Sequence, residues 1–71
     1  MEKHPELVAL GKRIRELRKA AKLTQEELAA RAGLSTNYVG ETERGQRNPS
    51  ALAMMALAAG LGVPASSLLG R

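Results

Sequence analysis

The segment from Thr24 to Arg47, TQEELAARAGLSTNYVGETERGQR, constrains the fold of this chain more than any other. It contains two short helical patterns separated by Gly33, a residue that can adopt the left-handed conformation at which many helices end. Ala29 and Val39 provide a small residue and an apolar residue where two steeply crossing helices need them. The segment therefore predicts two helices that pack together across a short turn.

Capping residues predict where the helices begin. Thr24 and Glu27 have the spacing of a capping box, which starts a helix at the next residue. Ser35 and Ser50 are N-cap residues for two later helices. We expect helices over about residues 5–21, 25–32, 36–44, 51–61 and 65–69. Because no strand pattern is present, we predict an all-α fold, a compact five-helix bundle forming one domain over residues 1–71.

The charged side chains are distributed unevenly along the chain. Residues 1–47 hold ten of the eleven Lys and Arg and all seven Glu, whereas residues 48–70 carry no charge. The net charge of +4 favours an anionic partner such as nucleic acid. The neutral segment contains Pro49, Pro64 and three glycines, so two short helices are favoured over a membrane span.

The composition argues against an enzyme. The chain has no cysteine, no aspartate and a single histidine, His4, which has no metal-ligand companions. The glutamates lie beside Lys or Arg on predicted helix surfaces, and no glycine-rich phosphate loop is present. We therefore predict no catalytic residue, no metal site and no cofactor. The absence of cysteine fits a cytoplasmic, nucleoid-associated protein.

The second helix of the predicted pair should present polar side chains outward. Thr36 and Asn37 lie in its first turn, which in a helix-turn-helix enters the major groove of DNA. Asn37 can pair bidentately with adenine, and Thr36 can contact a base edge or a thymine methyl group. Glu41 either accepts from a cytosine amino group, or repels phosphate, or is neutralised by Arg44.

Further residues around this face are candidates for phosphate contacts. Gln25 lies in the first turn of its helix, where unpaired backbone N–H groups attract an anion. Ser35 is an N-cap that can also contact phosphate, and Arg44 and Arg47 flank the second helix. Tyr38, the only aromatic residue, either hydrogen-bonds a phosphate or packs against the fourth helix. These residues extend the predicted helix-turn-helix, about residues 25–44, into a DNA-binding surface.

Two expectations concern packing. Arg18 and Glu43 are predicted to form a partly exposed ion pair between the first and third helices, worth about 0.5–1 kcal/mol. The inner face of the fourth helix is expected to consist of Leu52, Met55 and Leu61, with Ala58 or Ala59.

Three stretches, LTQEELAARAGLS, YVGETERGQRNPS and LAAGLGVPASSLL, resemble the DNA-binding domain of the Cro/C1-type helix-turn-helix family of phage repressors and bacterial regulators. The resemblance covers about residues 10–69 and implies a five-helix domain that binds operator DNA as a dimer. It puts Gln25, Ser35 and Arg44 at phosphate-contacting positions, and Thr36, Asn37 and Glu41 at base-reading positions. Small members of the family include controller proteins of restriction–modification systems, Cro-like repressors and antitoxins.

Two positions depart from the family pattern. Thr42 stands where the family usually has a large aliphatic residue facing the core, which weakens the packing of the third helix. Gly40 lies in the middle of that helix, where glycine costs about 1 kcal/mol relative to alanine. Gly40 either softens the helix or allows a close approach to DNA.

We therefore expect a sequence-specific transcriptional regulator that binds double-stranded DNA as a homodimer on a pseudo-palindromic operator. The dimer surface is expected within residues 50–69, in the fourth and fifth helices, because not all apolar residues there can be internal. The candidates are Leu57, Val63, Leu68 and Leu69. The alternatives are an antitoxin-like module that binds a protein partner as well as DNA, and a nucleoid-type protein that binds DNA without specificity.

Overall fold

Short connections join the helices, whose ends lie close to the bounds that the capping residues predict. The computed structural model describes residues 4–69. They form α1 (Pro5–Ala20), α2 (Gln25–Ala32), α3 (Thr36–Glu43), α4 (Ala51–Leu61) and a 3-10 helix (Ala65–Leu69). The predicted all-α class is confirmed, but the fifth helix is of the 3-10 type. None of the helices in this part of the chain has the length and apolar character of a membrane span.

A capping side chain accepts a hydrogen bond from a first-turn N–H group in α2, α3 and α4. The Thr24 hydroxyl accepts from the backbone N–H of Glu27 at 3.0 Å, and the Glu27 carboxylate accepts from the backbone N–H of Thr24 at 2.8 Å. This second bond lowers the pKa of Glu27, because it favours the charged form. The Ser35 hydroxyl accepts from the backbone N–H of Tyr38 at 3.0 Å, and Ser50 caps α4 in the same way. The predicted capping box and N-caps are confirmed.

Each of the five helices contributes one fully buried, large apolar side chain to a single core. These residues are Ile14, Leu28, Val39, Leu57 and Leu68. Since each comes from a different element, the core fixes all five elements relative to one another. Leu57 and Leu68 are thereby removed from the set of candidates for a dimer surface.

The predicted inner face of α4 is wrong in part. Leu61 and Ala58 are buried as expected, but Leu52 is 78% exposed and Met55 is 61% exposed. The helix instead turns Ala53, Leu57 and Gly60 inward together with Leu61 and Ala58. Periodicity could not select the face, because the sequence ALAMMALAAGL is apolar all around the helix. The close packing of α4 on α2 selects it.

Gly11 allows α1 to lie against the C-terminal end of α3. A Cβ atom at this position would lie 2.3 Å from the carbonyl oxygen of Thr42 and 2.5 Å from that of Glu43. Both distances are far below van der Waals contact, so only glycine permits this approach. The contact positions α3, and with it the outward face of the predicted helix-turn-helix.

Candidate nucleic-acid interface

The turn between α2 and α3 has the geometry that the sequence predicts. Gly33 has φ 69° and ψ 29°, in the left-handed region where a side chain would be strained. The N–H of Leu34 donates to the carbonyl of Ala29 at 2.9 Å and closes the turn. Ala29 is buried, as the prediction of a small residue at the crossing required. The α2–turn–α3 unit therefore has the geometry of a helix-turn-helix.

The first turn of α3 carries the two residues predicted to read bases. Asn37 is exposed and Thr36 is half-buried. Neither side chain forms a hydrogen bond to another of residues 4–69. Ser35 directly precedes them, exposed, with its hydroxyl already accepting the N-cap bond. Both base-reading candidates thus keep their donors and acceptors for an external partner.

Gln25 and Arg44 come together above Gly40. A Cβ atom on Gly40 would lie 3.0 Å from Arg44 Nη1 and 3.6 Å from Gln25 Oε1. The absence of a side chain at this position therefore lets two polar residues from α2 and from the end of α3 approach each other. Arg44 Nε donates to Gln46 Oε1 at 2.9 Å, so the suggested ion pair between Arg44 and Glu41 does not form.

A buried hydrogen-bond network holds Gln25 in place. Arg18 donates to both carboxylate oxygens of Glu43, at 2.6 and 3.1 Å, and to the carbonyl of Leu23 at 2.8 Å. Gln25 Nε2 donates to Glu43 Oε1 at 3.0 Å. The hydrogen bond to Glu43 raises the pKa of Arg18, so the guanidinium remains charged.

The predicted ion pair between Arg18 and Glu43 is confirmed, but the prediction that it is partly exposed is wrong. The two side chains are 11% and 3% exposed. Burial is possible because Leu23 and Gln25 complete the hydrogen bonding of both charged groups, a tertiary arrangement that spacing alone does not reveal.

A second cluster lies on the other side of α3. The Arg47 guanidinium donates through Nε to Glu41 Oε1 at 2.9 Å, and its Nη2 atom lies 2.8 Å from the same oxygen in an ion pair. Its Cζ atom lies 4.4 Å from the centre of the Tyr38 ring. The Tyr38 hydroxyl accepts from the backbone N–H of Ser50 at 3.2 Å, which anchors the ring at the start of α4. Of the two roles considered for Tyr38, the one that places it against the fourth helix agrees with this geometry.

Comparison with known proteins identifies the motif. A family model described as helix-turn-helix, HTH_3, matches residues 14–68, which include all of α2, α3 and α4. The chain belongs to this helix-turn-helix family.

Relatives of this helix-turn-helix protein include regulators from phage and bacteria. It is 41% identical over 63 residues to the immunity repressor protein of Bacillus phage phi105, covering 89% of this chain but 44% of the phage protein. It is 44% identical over 54 residues to an uncharacterised HTH-type transcriptional regulator of Sinorhizobium fredii, covering 76% and 70% of the two chains. This chain therefore spans less than half the length of the phage repressor.

Its fold is close to that of a solved regulator of the same size. The crystal structure of the restriction–modification controller protein C.AhdI from Aeromonas hydrophila has a TM-score of 0.90 and 46% identity. The match covers 92% of this chain and 98% of that chain. A hypothetical transcription factor from Neisseria matches with a TM-score of 0.85 and 35% identity, over 97% and 83% of the two chains.

The helix-turn-helix protein also contains two packing positions that bear on the site. Thr42 is buried, as the resemblance implied for this position, and its hydroxyl donates to the carbonyl of Tyr38 at 2.7 Å. Gly11 was missed by sequence reasoning. The signal that could have found it is a glycine in the middle of a helical pattern, which usually has a packing reason.

Proposed function

We propose that this chain is a sequence-specific transcriptional regulator that binds a double-stranded, pseudo-palindromic operator as a homodimer. The observation that carries this proposal is the arrangement of Thr36, Asn37 and Gln25. Two side chains with unused hydrogen-bonding groups occupy the first turn of α3, and Gln25 is held beside that helix by Glu43. This arrangement suits a helix that enters the major groove, with Gln25 beside it to bind a phosphate of the DNA backbone.

Base reading is assigned to Asn37 and Thr36, with Glu41 as a further contact. Asn37 can donate to N7 of adenine and accept from its amino group. Guanine presents two acceptors, N7 and O6, so the Asn37 side chain discriminates between the purines. Thr36 is short and suits a thymine methyl group or a single base acceptor. Each well-formed contact of this kind contributes about 1–3 kcal/mol of discrimination.

Phosphate binding is assigned to Gln25, Ser35, Arg44 and Arg47. Gln25 retains one amide hydrogen after its bond to Glu43, and the first N–H groups of α2 lie next to it. Arg44 forms no ion pair with any of residues 4–69, so its charge is available to the DNA backbone. These contacts hold the register of α3 in the groove without reading sequence.

The exposed face of α4 supports dimerisation. Leu52 and Met55 are three residues apart on the side opposite the core, and Leu69 of the 3-10 helix is 63% exposed. Burial of a Leu or Met side chain contributes about 1.5–3 kcal/mol, so a symmetric contact that buries these residues twice supplies much of an association energy. The two copies of α3 are then about 34 Å apart and enter successive turns of the major groove on one face of the DNA.

Selection of bound sequences from a random duplex library tests this function. We expect enrichment of a palindromic sequence and competition by random duplex that is at least about a thousandfold weaker at fixed salt. The Asn37→Ala variant should lose preference at one position of each half-site, whereas Gln25→Ala should weaken binding to all sequences alike. Equal affinity for selected and random duplex would refute the proposal and favour a nucleoid-type protein.

The oligomer is tested separately, because the exposed apolar residues could also serve an antitoxin-like module with a protein partner. Sedimentation at micromolar protein should give a dimer for the wild type and a monomer for Leu52→Glu. The Val8→Glu variant, at an exposed apolar residue of α1, is the matched control and should remain dimeric. A wild type that stays monomeric both alone and on DNA would contradict the homodimer.

A further inference from the structure

The two arginines that flank α3 differ in their electrostatic surroundings. Among residues 4–69, Arg44 donates only to the neutral amide of Gln46, whereas Arg47 donates a hydrogen bond to the carboxylate of Glu41 and forms an ion pair with it. Both residues of this ion pair remain accessible to water, with side chains 44% and 37% exposed. An accessible ion pair of this kind can be broken by a competing anion such as phosphate.

A cation–π contact with Tyr38 also stabilises the position of the Arg47 side chain. The guanidinium lies over the ring at 4.4 Å, a distance at which a cation is attracted by the negative face of the ring. Because the Tyr38 hydroxyl is fixed at the start of α4, the ring provides a firm platform. Arg47 is therefore directed toward Glu41 on α3 in the protein without DNA.

We infer that Glu41 restrains Arg47 and thereby acts as a specificity-determining residue. When Arg47 moves to a phosphate, the carboxylate of Glu41 loses its partner next to a polyanion, which is unfavourable. In the major groove, an exocyclic amino group of cytosine or adenine can donate to that carboxylate and replace the guanidinium. Arg47 is thus released to the DNA backbone only where a suitable base replaces it.

This exchange lowers affinity for random DNA more than affinity for the operator. On random duplex the pair stays closed, which omits one phosphate contact, because opening it would leave Glu41 unpaired. On the operator both residues gain a partner. The inference rests on the proposed function, since it assigns the partners of Glu41 and Arg47 within that same interface.

Removal of the charge at Glu41 gives the first test. We expect Glu41→Gln to bind random duplex about threefold more tightly, which is a change within the free-energy range of exposed ion pairs. We also expect its ratio of operator affinity to random-duplex affinity to fall at least about fivefold. The control is Glu16→Gln on α1, an exposed residue that changes the net charge equally and forms no ion pair with residues 4–69. Equal increases in random-duplex affinity for both variants would overturn the inference.

The salt dependence of binding gives the second test, because each phosphate contact adds about one to the slope of log affinity against log salt. Arg44→Ala should reduce this slope on both operator and random duplex. Arg47→Ala should reduce it on the operator alone, and in the Glu41→Gln background it should reduce it on random duplex as well. A reduced random-duplex slope for Arg47→Ala in the wild-type background would overturn the inference.

The outcomes separate this inference from the proposed function. If the wild-type protein prefers no sequence, the function itself fails. If the wild type prefers an operator but the effects of the Glu41 and Arg47 substitutions on binding to random duplex are additive, then the restraint of Arg47 by Glu41 is refuted and the proposed function is not. Far-UV circular dichroism and thermal melting confirm that each exposed variant is folded before binding is measured.

Discussion

Replacing Gly11 with alanine tests the packing that orients α3. The new methyl carbon would lie 2.3 and 2.5 Å from two carbonyl oxygens of α3, so α1 and α3 must separate by roughly 1 Å to restore van der Waals contact. Overpacking of this kind costs about 1–3 kcal/mol. Because the obstructing atoms belong to the backbone, they cannot rotate away, and we expect the upper part of that range.

The opposing effect is helix propensity, since alanine stabilises a helix interior by about 1 kcal/mol relative to glycine. We therefore expect Gly11→Ala to lower the free energy of unfolding by about 2 kcal/mol overall. For a domain of 60–100 residues this corresponds to a decrease in Tm of about 8–16 °C. Urea and thermal denaturation followed by circular dichroism measure both quantities.

Gly40→Ala is the matched control. Gly40 is also in the middle of a helix, but its nearest obstruction is Arg44 Nη1, the far end of a flexible side chain, at 3.0 Å. This variant should gain about 1 kcal/mol of stability from helix propensity, while its DNA affinity falls because the methyl group displaces Arg44 or Gln25. If Gly11→Ala were as stable as Gly40→Ala, the reasoning from close approach would be refuted.

Three further predictions concern single interactions. Glu43→Gln should lower the free energy of unfolding by about 3 kcal/mol in urea denaturation, because it leaves the buried Arg18 charge uncompensated; a loss below 1 kcal/mol would contradict this. Lys22→Gly should raise it by about 1 kcal/mol, because Lys22 has φ 60° and glycine adopts that conformation without strain; no gain in Tm would refute this reading. The hydrogen bond from the N–H of Thr24 lowers the folded-state pKa of Glu27. The ionised carboxylate therefore stabilises the folded state above the unfolded pKa, and this stabilisation is lost as the pH falls below about 4.5. Stability measured against pH should therefore be flatter in this range for Glu27→Gln than for the wild type.

The helix bounds could be predicted from sequence because local chemistry determines them. Thr24, Ser35 and Ser50 accept hydrogen bonds from N–H groups three residues later, and Gly33 and Gly62 take left-handed conformations. None of these features depends on distant parts of the chain. The residues on the outward face of α3 could likewise be predicted from helical spacing, because the N-cap Ser35 fixes where that helix begins.

Features that depend on tertiary packing could not be predicted in the same way. The buried face of α4 was mistaken at Leu52 and Met55, because a helix that is apolar all around provides no direction. The partner of Glu41 was also uncertain. Arg44 is closer in sequence, but Arg47 reaches Glu41 because the chain turns back after α3 and because Tyr38 holds the guanidinium. Sequence spacing could not reveal either contact.

The contrast between Glu43 and the first turn of α3 has a consequence for how binding preference can diverge. Glu43 serves the fold and the interface at once, since it pairs with Arg18 and orients Gln25, so few substitutions there are tolerated. The side chains of Thr36 and Asn37 form no hydrogen bond to another of residues 4–69. Under the proposed base reading, changes at these two positions retarget the protein to another DNA sequence while the scaffold remains intact, and a library confined to them is the natural starting point for redesign.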